Sequence, residues 1–149
     1  MSAAGPELVY GTCVALGSRA ALLVGPSGSG KSDLALRFVL ASPPGLDAAL
    51  VADDQILLER SGDGVVARPP ATIAGKIEVR GIGILDLPHR PEAVLRLVIR
   101  LVDPDDVPRL PDPGAERESY CGVALPVLAL APFECSAPLK LRLALERLW

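Results

Sequence analysis

The chain has 149 residues, half of them hydrophobic, enough to bury one sizeable core. A net charge of −3 without a basic stripe argues against nucleic acid as the main partner. No apolar run approaches the roughly 18 residues needed to span a bilayer.

Fifteen prolines and fourteen glycines predict short elements and many turns. Residues 8–16 read as a strand, Gly17 and Ser18 as a turn, and residues 20–24 as a short apolar strand. A glycine-rich segment follows, and then residues 32–40 with a helical pattern. Pro43, Pro44 and Gly45 make residues 41–47 a connection. Residues 48–52 form another apolar strand, expected to end at Asp53 and Asp54. Residues 55–60 and 65–68 flank Ser61-Gly62-Asp63-Gly64, a hairpin signal. Residues 68–75 form a proline-bearing loop, and residues 77–87 alternate apolar positions with glycines and charges. In residues 94–102, Leu95, Leu97, Ile99 and Leu101 alternate with Arg96 and Arg100, which predicts a strand with one wet face. Residues 103–118 hold four prolines and read as a long mobile loop, the kind that often carries function. Residues 138–149 form an amphipathic helix with Leu141, Leu145 and Leu148 on one face and Pro138 near its start. No repeat or boundary interrupts the chain, so residues 1–149 read as a single α/β domain.

The three cysteines, Cys13, Cys121 and Cys135, have no C-x-x-C spacing and point to reduced thiols rather than a metal site. Residues 1–10 lack a basic segment leading into an apolar stretch, so no secretory signal is read and a cytoplasmic location is expected. Aromatics make up 3% of the chain, which argues against a base-stacking platform.

The most informative segment is Gly25-Pro26-Ser27-Gly28-Ser29-Gly30-Lys31-Ser32. It completes the pattern G-x-x-x-x-G-K-[ST], in which backbone N–H groups curl around a polyphosphate. Lys31 reaches the β- and γ-phosphates, and the Ser32 hydroxyl can ligate Mg²⁺. A strand before it and a helix after it place the phosphates at a helix N-terminus.

Asp53 and Asp54, about twenty residues beyond Lys31, stand where a protein with this loop holds its metal. Successive strand residues face opposite ways, so one carboxylate can serve a metal and the other a substrate hydroxyl. A helix cap or a solvated strand end is the plainer alternative. In Ile77-Glu78-Val79-Arg80-Gly81-Ile82-Gly83-Ile84-Leu85-Asp86, an extended chain would put Glu78 and Arg80 on one face. That suggests a metal ligand beside a clamp on phosphoryl charge, with a surface ion pair as the alternative.

Three segments, in this order, resemble the catalytic domain of HPr kinase/phosphorylase: the loop running into Lys-Ser-Asp-Leu-Ala-Leu, Val-Ala-Asp-Asp, and Ile-Glu-Val-Arg-Gly-Ile-Gly-Ile-Leu-Asp. The resemblance covers nearly the whole chain and is similar to the short form without an N-terminal domain. It implies the P-loop kinase fold shared with phosphoenolpyruvate carboxykinase, a mixed sheet with a loop helix and a C-terminal helix. It also implies ATP and Mg²⁺, an HPr-like phosphocarrier protein as the partner phosphorylated on serine, and a hexamer. Under it, Gly25 to Ser32 hold the nucleotide phosphates. Lys31 neutralises transferring charge, and Ser32 and Glu78 ligate magnesium. Asp54 matches the general base beside Asp53, and Arg109 matches a catalytic loop arginine, with Arg117 as the alternative.

Two positions depart from the family pattern. Tyr10, before Gly11-Thr12, stands where the family carries a histidine, and the chain's one histidine, His89, reads as an exposed loop residue. Leu128 to Ser136 replaces a Pro-Gly-Arg-Asn-like segment tied to dephosphorylation. The first departure implies slowed or altered activity, and the second kinase activity without efficient phosphorylase activity. A small-molecule kinase or NTPase and a catalytically impaired nucleotide sensor are the other readings.

Overall fold

The protein is described from a computed structural model, which covers residues 5–112 and 114–147. In chain order the elements are β1 (Glu7–Leu16), β2 (Arg19–Val24), α1 (Lys31–Ala41), β3 (Ala48–Ser61), β4 (Gly64–Arg68), β5 (Lys76–Val79), β6 (Gly83–Asp86), β7 (Ala93–Leu101), β8 (Arg117–Tyr120), β9 (Val123–Leu130) and α2 (Ala137–Arg147).

Seven strands form a mixed sheet in the order β2-β1-β3-β4-β7-β9-β8, and β2 also pairs with β7. The ring β2-β1-β3-β4-β7 therefore closes on itself. β2–β7 and β7–β9 are parallel, and the other pairings are antiparallel. β5 and β6 form a separate two-stranded hairpin.

Two apolar clusters lie on the two faces of the sheet. One gathers small and medium side chains, among them Cys13, Ala15, Leu22, Val51, Ile56, Val65 and Val98. Burial pushes the Cys13 thiol up to about 12. The other holds Val14, Leu23, Leu50 and Ile99 under both helices, which contribute Leu34, Ala35, Phe38, Leu141, Ala144 and Leu145. Leu141 and Leu145 share the buried face expected of α2, and Leu148 lies outside the described residues.

Two local irregularities overturn simple alternation. Ala20 pairs with Leu95 but Ala21 pairs with Leu97, so Arg96 is an extra residue in β7. This bulge sends Leu95 to one apolar cluster and Leu97, Ile99 and Leu101 to the other. Val98 is fully buried as well, so β7 has apolar cover on both faces rather than one wet face. β7 lies inside the sheet, flanked on both edges, which is why its polar face is interrupted.

The second irregularity concerns the expected strand end at Asp53–Asp54. β3 continues through both aspartates to Ser61. Its partner β1 is long enough to pair along the whole stretch, from Leu16↔Ala48 to Glu7↔Leu58, with Val51 bulged out. The apolar run ended at Asp53, but the ladder did not. Residues 77–87 split into β5 and β6 around Arg80, Gly81 and Ile82, so Arg80 lies in a turn and does not share an extended face with Glu78.

Candidate active site

The loop from Gly25 to Ser32 leaves the end of β2 and enters α1 at Lys31. Its tight curl depends on glycine: Gly28 and Gly30 have φ of 83° and 99°. A Cβ on Gly25 would lie 2.6 Å from Ser29 Oγ. Ser29 N–H donates to Pro26 O at 3.0 Å and closes the turn. Ser29 Oγ is buried without a hydrogen-bond partner. The first-turn amides of α1 have no intrahelical acceptor, and the helix dipole adds positive potential there.

Lys31 Nζ folds over the loop and donates to Gly25 O at 2.8 Å and Pro26 O at 3.1 Å. Ser32 Oγ donates to both carboxylate oxygens of Asp53, at 2.9 and 3.0 Å. Thr12 Oγ1 donates to Asp53 Oδ1 at 2.8 Å. Register explains this meeting. Thr12 pairs with Leu23 of β2 on one side and with Asp53 of β3 on the other, so Asp53 is carried beside the loop two strands away. Thr12 is the buried polar residue of the core, 1% exposed.

Asp54 is exposed, its side chain makes no hydrogen bond or ion pair among the described residues, and its backbone has φ 74°. Left-handed backbone inside a long strand is uncommon, and aspartate tolerates it better than most residues. Asp54 pairs with Gly11, so no side chain stands opposite it. Tyr10, 68% exposed, is the next position along β1.

The structure thus joins Thr12, Ser32 and Asp53 in one cluster, with Lys31 folded back on the loop carbonyls and Asp54 next along β3. Glu78 is exposed on β5 and makes no hydrogen bond or ion pair with the cluster. Arg109 is exposed and lines a groove of about 330 Å³ with Val107, Pro108, Leu130, Lys140 and Leu141, beside α2. Arg117 is engaged elsewhere, donating to Ala124 O at 3.2 Å across the β8–β9 hairpin. His89 is exposed, as expected, but its ring packs on Gly75 and its backbone bridges to Leu50. Among the described residues no three His, Cys, Asp or Glu side chains converge as a preformed metal cage. The Ser32–Asp53 pair is the open oxygen set at the loop. Magnesium is commonly held by one or two protein oxygens together with substrate phosphates.

Two contributors escape a reading of the sequence. Thr12 is one threonine in an apolar strand, and its partner is fixed only by the β1–β3 register. The segment after β9 is the other. Arg37 of α1 donates to Pro132 O and to Glu134 O, the latter at 3.2 Å, and lays this segment along the helix. The Phe133 ring then packs on Gly30, where a Cβ would come within 2.9 Å of it.

Residues 2–130 match the family model of the HPr serine kinase C-terminal domain. The chain belongs to this family. An HPr kinase/phosphorylase of Neisseria meningitidis serogroup C is 37% identical over 100 residues, covering 57% of this chain and 28% of the relative. That of Mycoplasmopsis pulmonis is 32% identical over 102 residues, covering 64% of this chain and 31% of the relative. The matches therefore span under a third of these relatives' length. The Hpr(Ser) kinase/phosphatase structure from Coxiella burnetii superposes with a TM-score of 0.77 over 91% of both chains at 24% identity, and so shares the fold. The expected mixed sheet with a loop helix and a C-terminal helix is that of this HPr kinase fold. No helix among the described residues is long and apolar enough to cross a membrane.

Proposed function

We propose that this chain is an ATP-dependent kinase that phosphorylates a serine of an HPr-like phosphocarrier protein in the cytoplasm, as part of phosphotransferase-system regulation. The observation that carries this reading is the Ser32–Asp53–Thr12 cluster beside the Gly25–Ser32 loop, in a chain of the HPr kinase family. The loop fits a polyphosphate: Gly28 and Gly30 take the left-handed backbone that curls its amides, and Ser29 Oγ is a buried hydroxyl without an acceptor.

Loop and first-turn amides with Lys31 hold the phosphate oxygens. Lys31 exchanges its two loop carbonyls for phosphate and follows the charge as it transfers. Ser32 and Asp53 would hold a magnesium ion, with Glu78 as the further ligand implied by the family. The ion supplies neutralisation of phosphate charge. Asp54, exposed and unpartnered, takes the proton of the acceptor serine. The serine oxygen bonds to the γ-phosphorus as the bond to the β-phosphate oxygen breaks, and ADP leaves. Arg109 steadies the transferring group from its loop. The segment after β9 supports a weak reverse reaction, because it lacks the family's Pro-Gly-Arg-Asn-like residues, and Tyr10 in place of the family histidine supports slowed or altered activity. The working form is a homo-oligomer, a hexamer on the family pattern.

The test combines purified protein, Mg-ATP and an HPr carrier, with phosphoserine read by mass spectrometry. Lys31→Ala and Asp54→Asn should each lower the rate about 10²-fold or more, while Asp54→Asn retains ATP binding. ATP bound without phosphoserine would favour a nucleotide sensor. Turnover of a metabolite without HPr would favour a small-molecule kinase.

A further inference from the structure

Phe133 is a large apolar side chain left 70% exposed, yet its surroundings hold it still. Arg37 grips the carbonyls on either side of it, those of Pro132 and Glu134. The same guanidinium is tied to Asp33 at 3.0 Å, in the first turn of α1. Lys140 of α2 binds Glu134 Oε1 at 2.9 Å. Pro132 itself is buried. Its aromatic neighbour rests against Gly30 at one edge, and the rest of the ring faces outward. A ring needed only as packing would be covered. This one is immobilised and bare.

Its place along the cradle gives the bareness a use. In loops of this kind Lys31 serves the β/γ end of the polyphosphate and the loop's backbone amides cradle the α/β end. A nucleoside attached at the α-phosphate therefore leaves from the loop amides, where the Phe133 ring rests on Gly30. A flat ring held there offers a face to a nucleobase, and stacking accepts any base because every base has a π-face.

We infer that Phe133 is the nucleobase platform of this site, so that the segment 132–134 distinguishes a nucleotide from bare pyrophosphate. This rests on the nucleotide reading of the Gly25–Ser32 loop. The scarcity of aromatics in the chain is no obstacle, because one placed ring suffices.

Titration calorimetry with ADP and with pyrophosphate, each with magnesium, tests it. Wild-type protein should bind ADP more tightly than pyrophosphate. Phe133→Ala should weaken ADP about tenfold or more and leave pyrophosphate unchanged. Phe133→Leu keeps apolar bulk over Gly30 but removes the π-face, and should follow the alanine variant. Phe133→Trp should bind ADP at least as well as wild type. Unchanged ADP affinity in the alanine and leucine variants would overturn the platform while leaving the phosphate cradle intact. Equal losses for ADP and pyrophosphate would also overturn it, by showing that the ring only props the loop. Wild-type protein that binds neither ligand would remove the nucleotide reading and the platform with it.

Discussion

The cradle at Gly25–Ser32 is tied into the sheet through Asp53, Thr12 and the Lys31 contacts, whereas the β5–β6 hairpin bearing Glu78 reaches the core through Ile77, 2% exposed, and a partly covered Val79. Ile82 and Ile84 of the hairpin are 71% and 70% exposed. Its visible ion pair, Lys76 to Asp86 at 2.7 Å, lies in solvent and lowers the Asp86 carboxyl through the lysine's hydrogen bond and charge. Surface pairs of this kind contribute little. The loop is therefore held in place by contacts within the chain itself. The β5–β6 hairpin is anchored chiefly through Ile77, with Val79 partly covered, and presents Ile82 and Ile84 outward.

Breaking the anchor should have the largest effect. Ile77→Ala removes the buried side chain that holds the hairpin, and should cost about 2–5 kcal/mol in urea unfolding. In the same hairpin, Ile84→Ser should stay within about 0.5 kcal/mol. Equal losses from both would mean that the hairpin is more than a one-point attachment.

A smaller effect is expected at the cradle. Thr12→Val keeps the shape but leaves Asp53 with one hydroxyl donor instead of two, and should cost about 1.5–3 kcal/mol. It should also weaken magnesium-dependent nucleotide binding. Unchanged stability and binding would show that Ser32 alone positions Asp53.

The smallest expected effect lies beside the cradle, at the end of β7 that pairs with Val24. Arg100 of β7 pairs with Glu116 just before β8, one bond measuring 2.8 Å, and holds the Glu116 carboxyl below its usual range. Because the folded value is the lower one, the pair's contribution is present above about pH 4.3. It is lost as pH falls through the depressed folded value. Glu116→Gln should therefore show a shallower fall of Tm below about pH 4.3 than wild type. Parallel Tm curves would assign the acid sensitivity elsewhere.

Much of this was legible along the chain. The strand, glycine loop and helix around Lys31 announce themselves because a phosphate cradle demands glycine at fixed offsets and a lysine at one place. The hairpin at Ser61–Gly64 and the face of α2 carried equally local signals. Less legible were the bulges at Val51 and Arg96, since a bulge is chosen by two strands together and changes which face each later residue covers. β9 carried no distinctive signal, and the pairing that closes the ring depends on contacts between strands far apart in sequence.

The chemistry divides in the same way. Local sequence is enough to mark Gly25–Ser32 as an anion cradle, because backbone conformation and helix dipole arise within one short segment. Which aspartate meets the loop was decided by tertiary structure. Register across β2, β1 and β3 brings Thr12 and Ser32 onto Asp53 and leaves Asp54 exposed in left-handed backbone opposite Gly11. The packing of Phe133 against Gly30 was likewise decided in three dimensions, through an arginine and two carbonyls almost a hundred residues away along the chain. Hydrogen bonds of that span have no local pattern to betray them, and they seat the Phe133 ring on the loop.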